Sequence, residues 1–180
     1  MRRFMLPVGA HLPRLHARPV GGRRVDTDAL GAAGPLAIVF LRHAGSAVTR
    51  DALSALDRAW DDLERRQVAM VAVVEGDLRA AYDVVPRLKV RFPVVHDPDG
   101  LFYDAFGVGR DAGLLRTLAD PRSAGQWAAT WVRAGHGALG GPIDRRCAAY
   151  VADRGVITFA WEGRTIVDGP PIEDLVRSAR

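Results

Sequence analysis

The sequence has one cysteine and one lysine among its 180 residues, and no apolar run approaches the ~20 residues that a membrane-spanning helix needs. Each scarcity excludes something. With Cys147 alone there is no intramolecular disulfide, no Cys-x-x-Cys redox pair and no cysteine-based zinc site. Lys89 is the one lysine in a set of 25 basic residues, so the positive charge is almost wholly arginine. Those arginines fall in scattered pairs (Arg2-Arg3, Arg23-Arg24, Arg65-Arg66, Arg145-Arg146) among 21 acidic residues, and the net charge is only +4. No basic stripe or nucleic-acid motif accompanies them, which favours a solvated surface over a nucleic-acid face. The opening Met1-Arg2-Arg3-Phe4-Met5-Leu6-Pro7 reaches a proline before any secretory apolar core, so a cytoplasmic protein is expected.

What is present is the composition of a globular protein, 48% hydrophobic and 26% charged, with a length suited to one domain over 1–180. Residues 1–34 are rich in Gly, Pro and Arg, with extended patches at 14–17 and 22–25, and read as an N-terminal arm or hairpin. Leu36-Ala37-Ile38-Val39-Phe40-Leu41 is continuously apolar, as a strand buried on both faces must be. From Ser46 to Arg66, apolar residues at Leu53, Leu56, Trp60 and Leu63 keep helical spacing and predict one long amphipathic helix. Val68 to Val74 is a second apolar strand, and Asp77 is the expected N-cap of a helix reaching Leu88. This β-α-β spacing implies a parallel pair with a right-handed crossover.

Phe92 to His96 reads as a short strand closed by the turn Asp97-Pro98-Asp99-Gly100, and Leu101 to Phe106 as a short helix. Residues 107–146 form an irregular insertion with one helix around 126–134 and the glycine-rich stretch 135–141. Cys147 to Ala152 and Val156 to Trp161 flank Asp153-Arg154-Gly155 as a β-hairpin, and a last helix follows Pro170-Pro171 with Ile172, Leu175 and Val176 inward. The fold class is therefore α/β: a central mixed sheet with helices on both faces.

Several segments carry a resemblance. Val8-Gly9-Ala10-His11-Leu12-Pro13 resembles an opening V-G-x-x-A-P, and Phe92-Pro93-Val94-Val95-His96-Asp97-Pro98-Asp99-Gly100 resembles F-P-L-L-S-D-P-D-G. Tyr103-Asp104-Ala105-Phe106-Gly107-Val108 is similar to A-x-A-Y-G-V, and Tyr150 to Gly155 is similar to an F-V-I-D-x-x-G hairpin. These are segments of the peroxiredoxin-like branch of the alkyl hydroperoxide reductase and thiol-specific antioxidant family, which implies a thioredoxin-like fold. The family's motif F-Y-R-G-x-W-C-P-x-C resembles the stretch that starts at Phe40. Counted from there, Ser46 and Thr49 stand where the motif has its cysteines, while Gly45 and Ala47 replace its tryptophan and proline. Peroxide reduction needs a thiolate that becomes a sulfenic acid, and a hydroxyl cannot take that step.

The candidate catalytic residues are Ser46, His43 and Cys147, with Arg42, Gly45, Thr49 and Arg146 as cleft residues. Serine at a helix start is first of all an N-cap. His43 is a turn residue or a base. The resemblance puts Cys147 at the loop position facing the redox motif, where the helix dipole with Arg145 and Arg146 would lower its pKa; otherwise it is a buried packing residue. His96 and Asp97 lack further ligands at metal spacing, His136 reads as loop, and no metal or cofactor is expected. Three readings stay open: a small-molecule or protein ligand in the former active-site cleft, a peroxidase or thiol transferase using Cys147, and a cofactor-free biosynthetic enzyme using His43 and Ser46. A homodimer is compatible with each. His43, Ser46, Thr49 and Cys147 are expected around one small depression, rimmed by helix N–H groups and Arg42, that suits an anionic ligand such as a carboxylate.

Overall fold

Alternation along one apolar strand explains the layering. In the computed structural model, which describes residues 5–21, 24–135, 137 and 140–179, the chain runs β1 (His16–Ala17), β2 (Val25–Asp26), α1 (Thr27–Ala33), β3 (Leu36–Phe40), α2 (Ala47–Arg58), α3 (Trp60–Arg65) and β4 (Ala69–Glu75). It continues α4 (Leu78–Leu88), β5 (Val94–Asp97), α5 (Leu101–Ala105), α6 (Leu114–Ala119), α7 (Pro121–Ala134), β6 (Ala148–Asp153), β7 (Val156–Glu162) and α8 (Ile172–Ser178). The five longer strands form one mixed sheet in the order β5-β4-β3-β6-β7. Strand β3 runs parallel to β4, from Leu36 opposite Ala69 to Phe40 opposite Val73, and antiparallel to β6, with Phe40 opposite Ala148.

Ala37, Val39 and Leu41 point to one face, where they meet Val48, Leu53 and Leu56 of α2, Leu63 of α3, Val85 of α4 and Leu175 of α8. Leu36, Ile38 and Phe40 point to the other, against Leu15, Val25, Tyr103, Phe106 and Tyr150. Each such fully buried large side chain contributes roughly 1.5–3 kcal/mol. The Phe40 ring lies 5.1 Å from that of Tyr103 and 4.8 Å from that of Phe106, so this second core is built on aromatic contacts.

Three expectations are corrected. The long helix breaks at Ala59, whose N–H is shared between Ala55 O and Leu56 O, a tightened turn that separates α2 from α3. The N-terminal arm holds a helix as well as a hairpin: β1 pairs antiparallel with β2, and Asp26 then caps α1 by accepting from Asp28 and Ala29 N–H. Part of the patch at 22–25 lies outside the described residues. The insertion carries two helices, and α7 starts earlier than expected, at Pro121, because Asp120 accepts from Ser123 N–H and Pro121 suits a first helical turn. Helix α7 packs on α2, where Arg133 meets Asp51 at 3.1 Å. Among the described residues, no helix is long and apolar enough to cross a membrane.

Candidate functional site

The strand-to-helix turn after β3 and the chain entering β6 lie side by side, because the antiparallel register that pairs Phe40 with Ala148 carries Cys147 toward Leu41 and Arg42. Arg42 lies close enough to the Cys147 sulfur for its charge and its backbone N–H to bear on the thiol. Arg42 Nη1 donates to Ser46 Oγ at 3.4 Å, and Ser46 O accepts from Arg50 N–H at 3.0 Å as α2 begins. Thr49 lies one turn further on, on the side of α2 that sends Ala52, Leu53 and Leu56 inward. The structure thus brings Arg42, Ser46 and Cys147 together, with Thr49 in the first turn of the same helix.

The expected open depression is a correction. Exposure is 4% for Arg42, 1% for His43 and Ser46, and 0% for Thr49 and Cys147. Irregular chain reaches Arg42, His43 and Gly45, and α7 packs along α2. Arg42 Nη2 donates to Ile143 O at 2.7 Å and Nη1 to Ile166 O at 3.2 Å, while Gly137 N–H donates to Gly45 O at 2.8 Å. Gly141 passes so close to His43 that a β-carbon added there would lie 2.7 Å from the His43 Cβ. His136 lies outside the described residues.

Ser46 takes the N-cap position with extended backbone, φ −66° and ψ 134°, but its side chain makes no capping bond, because the hydroxyl is turned to the Arg42 guanidinium. Cys147 departs furthest from the thiolate expectation. Its pKa is pushed up to about 12, since burial away from water outweighs the Arg42 charge and the Arg42 N–H bond, both of which pull it down. Arg145 and Arg146 do not serve it: Arg145 is paired with Glu75 and Arg146 with Glu162 at 3.1 Å.

Sequence reasoning missed two features. One is a polar network below the turn, where buried Arg145 grips Glu75, the Tyr103 hydroxyl is shared between Leu41 O and Val73 O, and at the surface Arg110 Nη1 meets Asp144 at 2.6 Å. Its signal was Glu75, an acid closing an otherwise apolar strand. The other is a set of polar atoms without partners: Thr49 Oγ1 and Arg42 Nε are buried and make no hydrogen bond. Burial also lowers the pKa of Arg42, and the attraction of Asp144 only partly offsets it. Among the described residues, no cluster of three or more His, Cys, Asp or Glu could hold a metal ion.

A mixed five-stranded sheet with this order, and a strand-to-helix turn facing the start of β6, defines the thioredoxin-like fold as peroxiredoxins have it. The sequence model of the AhpC/TSA family matches residues 8–137, and the chain belongs to that family. Among solved structures, it is similar to the peroxidoxin BcpB from Mycobacterium tuberculosis, at 15% identity and TM-score 0.66, covering 96% of this chain and 97% of that one. It is similar to a cysteine-to-serine mutant of the peroxiredoxin 6 of Arenicola marina at 11% identity and TM-score 0.69, covering 96% and 71% of the two chains. A third likeness is the Xanthomonas campestris bacterioferritin comigratory protein, at 15% identity and TM-score 0.66, covering 92% and 89%. No curated protein gave a significant match.

Proposed function

We propose that this chain uses the peroxiredoxin scaffold to bind a small oxygen-rich anion, a carboxylate foremost, where Arg42, Ser46 and Thr49 meet the start of α2, and that it reduces no peroxide. The observation that carries the reading is the pair of buried polar atoms without partners, Thr49 Oγ1 and Arg42 Nε, beside the N-terminus of a 12-residue helix. A buried hydroxyl left unbonded costs about 1–3 kcal/mol, and a buried cation held in no ion pair costs more, so a bound carboxylate would relieve both. The helix N-terminus adds N–H donors and a favourable dipole for the same charge.

The competing enzyme readings have less support. A Cys147 nucleophile needs a thiolate, and a buried thiol with a pKa near 12 stays protonated at neutral pH. A Ser46 nucleophile needs a base, whereas the Ser46 hydroxyl accepts from Arg42, which is a donor. His43 and Gly45 then shape the turn, and Arg146 borders the site through its pair with Glu162. The reading includes a cytoplasmic location, no bound cofactor, and a homodimer as the assembly to look for.

Isothermal titration of the full chain with sodium acetate, at constant ionic strength, tests it. Saturable binding weakened about tenfold by Thr49→Val is expected. Absence of binding, or peroxide turnover coupled to thioredoxin, would contradict the reading.

A further inference from the structure

The Arg42 guanidinium joins two stretches of chain that are far apart in sequence. Nη2 donates to Ile143 O in the segment between α7 and β6, and Nη1 donates to Ile166 O in the segment between β7 and α8. In their described residues both segments are irregular, and both reach the turn before α2 through Arg42.

Each is also anchored on either side of its Arg42 contact. The first is held by Gly140 O, which accepts from Asp77 N–H, and by Asp144, which pairs with Arg110 at 2.6 Å. The second is held by Gly163 N–H, which donates to Cys147 O at 2.9 Å, and by Val167 O, which accepts from Gln126 at 3.1 Å. Between these anchors lie short spans, 141–143 and 164–166, that Arg42 pulls inward.

Neutral backbone carbonyls are weaker acceptors for a guanidinium than a carboxylate is. A carboxylate docked on the unpartnered Arg42 Nε–H takes Nη2 as its second prong, the group that otherwise serves Ile143 O, and draws the guanidinium away from Ile166 O. We infer that Arg42 is a latch: without ligand it ties Ile143 and Ile166 over the site, and an arriving carboxylate takes those donors and frees both spans. This rests on the carboxylate reading above and adds a consequence of unusual sign. Ligands commonly protect the segments over their site, whereas here occupancy loosens them, so that entry and release of the anion are coupled to two surface segments.

Hydrogen exchange on the full-length chain, read by mass spectrometry, tests the latch in two arms. In the ligand-free arm, Arg42→Met is expected to raise exchange across 141–146 and 163–168 by about tenfold, with β3 and β4 unchanged. Arg42→Lys keeps the charge but lacks the planar fork that spans two carbonyls, and serves if Arg42→Met does not fold. Unchanged exchange in both segments of the folded variant overturns the latch. In the second arm, sodium acetate is expected to loosen the same segments of the wild-type chain, and sodium chloride at equal ionic strength is not. Acetate that binds by calorimetry yet protects the segments, or an equal response to chloride, overturns the release. Acetate that gives no binding heat overturns the carboxylate reading and the release with it, while the ligand-free arm still decides whether Arg42 holds the segments.

Discussion

Arg145 and Glu75 form a two-pronged ion pair inside the protein: Nε lies 2.8 Å from Oε2 and Nη2 lies 2.6 Å from Oε1, with 4% and 3% of the two side chains exposed. The pair fastens the end of β4 to the chain entering β6, and the guanidinium carbon sits 4.7 Å from the centre of the Tyr103 ring. Removing Arg145 leaves the buried Glu75 with only the half-exposed Arg110, whose Nη2 lies 3.4 Å from Oε1. Arg145→Met is expected to destabilise the fold by about 3–5 kcal/mol in denaturant titrations, and the double substitution Arg145→Met with Glu75→Gln to recover most of that loss. Additive losses in the double variant would show that the two residues act independently.

Two glycines give opposite expectations for the same change. A β-carbon at Gly141 would lie 2.7 Å from the His43 Cβ and 3.0 Å from the Gly76 Cα, so Gly141→Ala should cost about 1–3 kcal/mol of stability. Gly125 sits inside α7 with nothing within 4 Å of the added atom, and Gly125→Ala should stabilise by up to ~1 kcal/mol. Thermal melting of both variants checks the close fit at the turn. A neutral Gly141→Ala would contradict it.

Burial fixes the sign of an alkaline effect at Cys147. Its folded pKa of about 12 stands above the ordinary 9.0, so between those values the native thiol keeps a proton that the unfolded chain releases. The contribution is fully present below pH 9 and is lost as pH rises toward 12. Tyr103 and Tyr150 are raised by burial in the same sense and steepen the fall. Cys147→Ala should flatten the stability profile above pH 9, and iodoacetamide should leave the native thiol unlabelled at neutral pH. Fast labelling at pH 7 would show a thiolate.

Much of this fold can be read along the chain. The run at Leu36–Phe40 can be buried on both faces only as a central strand, and Arg154 and Gly155 both take positive φ, 48° and 78°, as the tight hairpin between β6 and β7 requires. Signals for α1 and α7 were also there, in Asp26 before Thr27 and in Asp120 before Pro121. The break at Ala59 had none, since neither alanine nor tryptophan interrupts a helix. The site was half legible. Ser46, Thr49 and Cys147 stand out by what they replace, but the bonds from Arg42 to Ile143 and Ile166 depend on irregular chain with no periodic pattern. The orphaned Thr49 hydroxyl shows only once its surroundings are known.

The most direct test of the carboxylate site is amide and arginine side-chain NMR during titration with sodium acetate, with ionic strength held constant by sodium chloride. The expected result is saturable shifts concentrated at the amides of Ser46 to Arg50 and at the Arg42 Nε–H, much reduced in Thr49→Val. Shifts spread evenly over exposed arginines, or none at Arg42 and Thr49, would contradict an anion site at the start of α2.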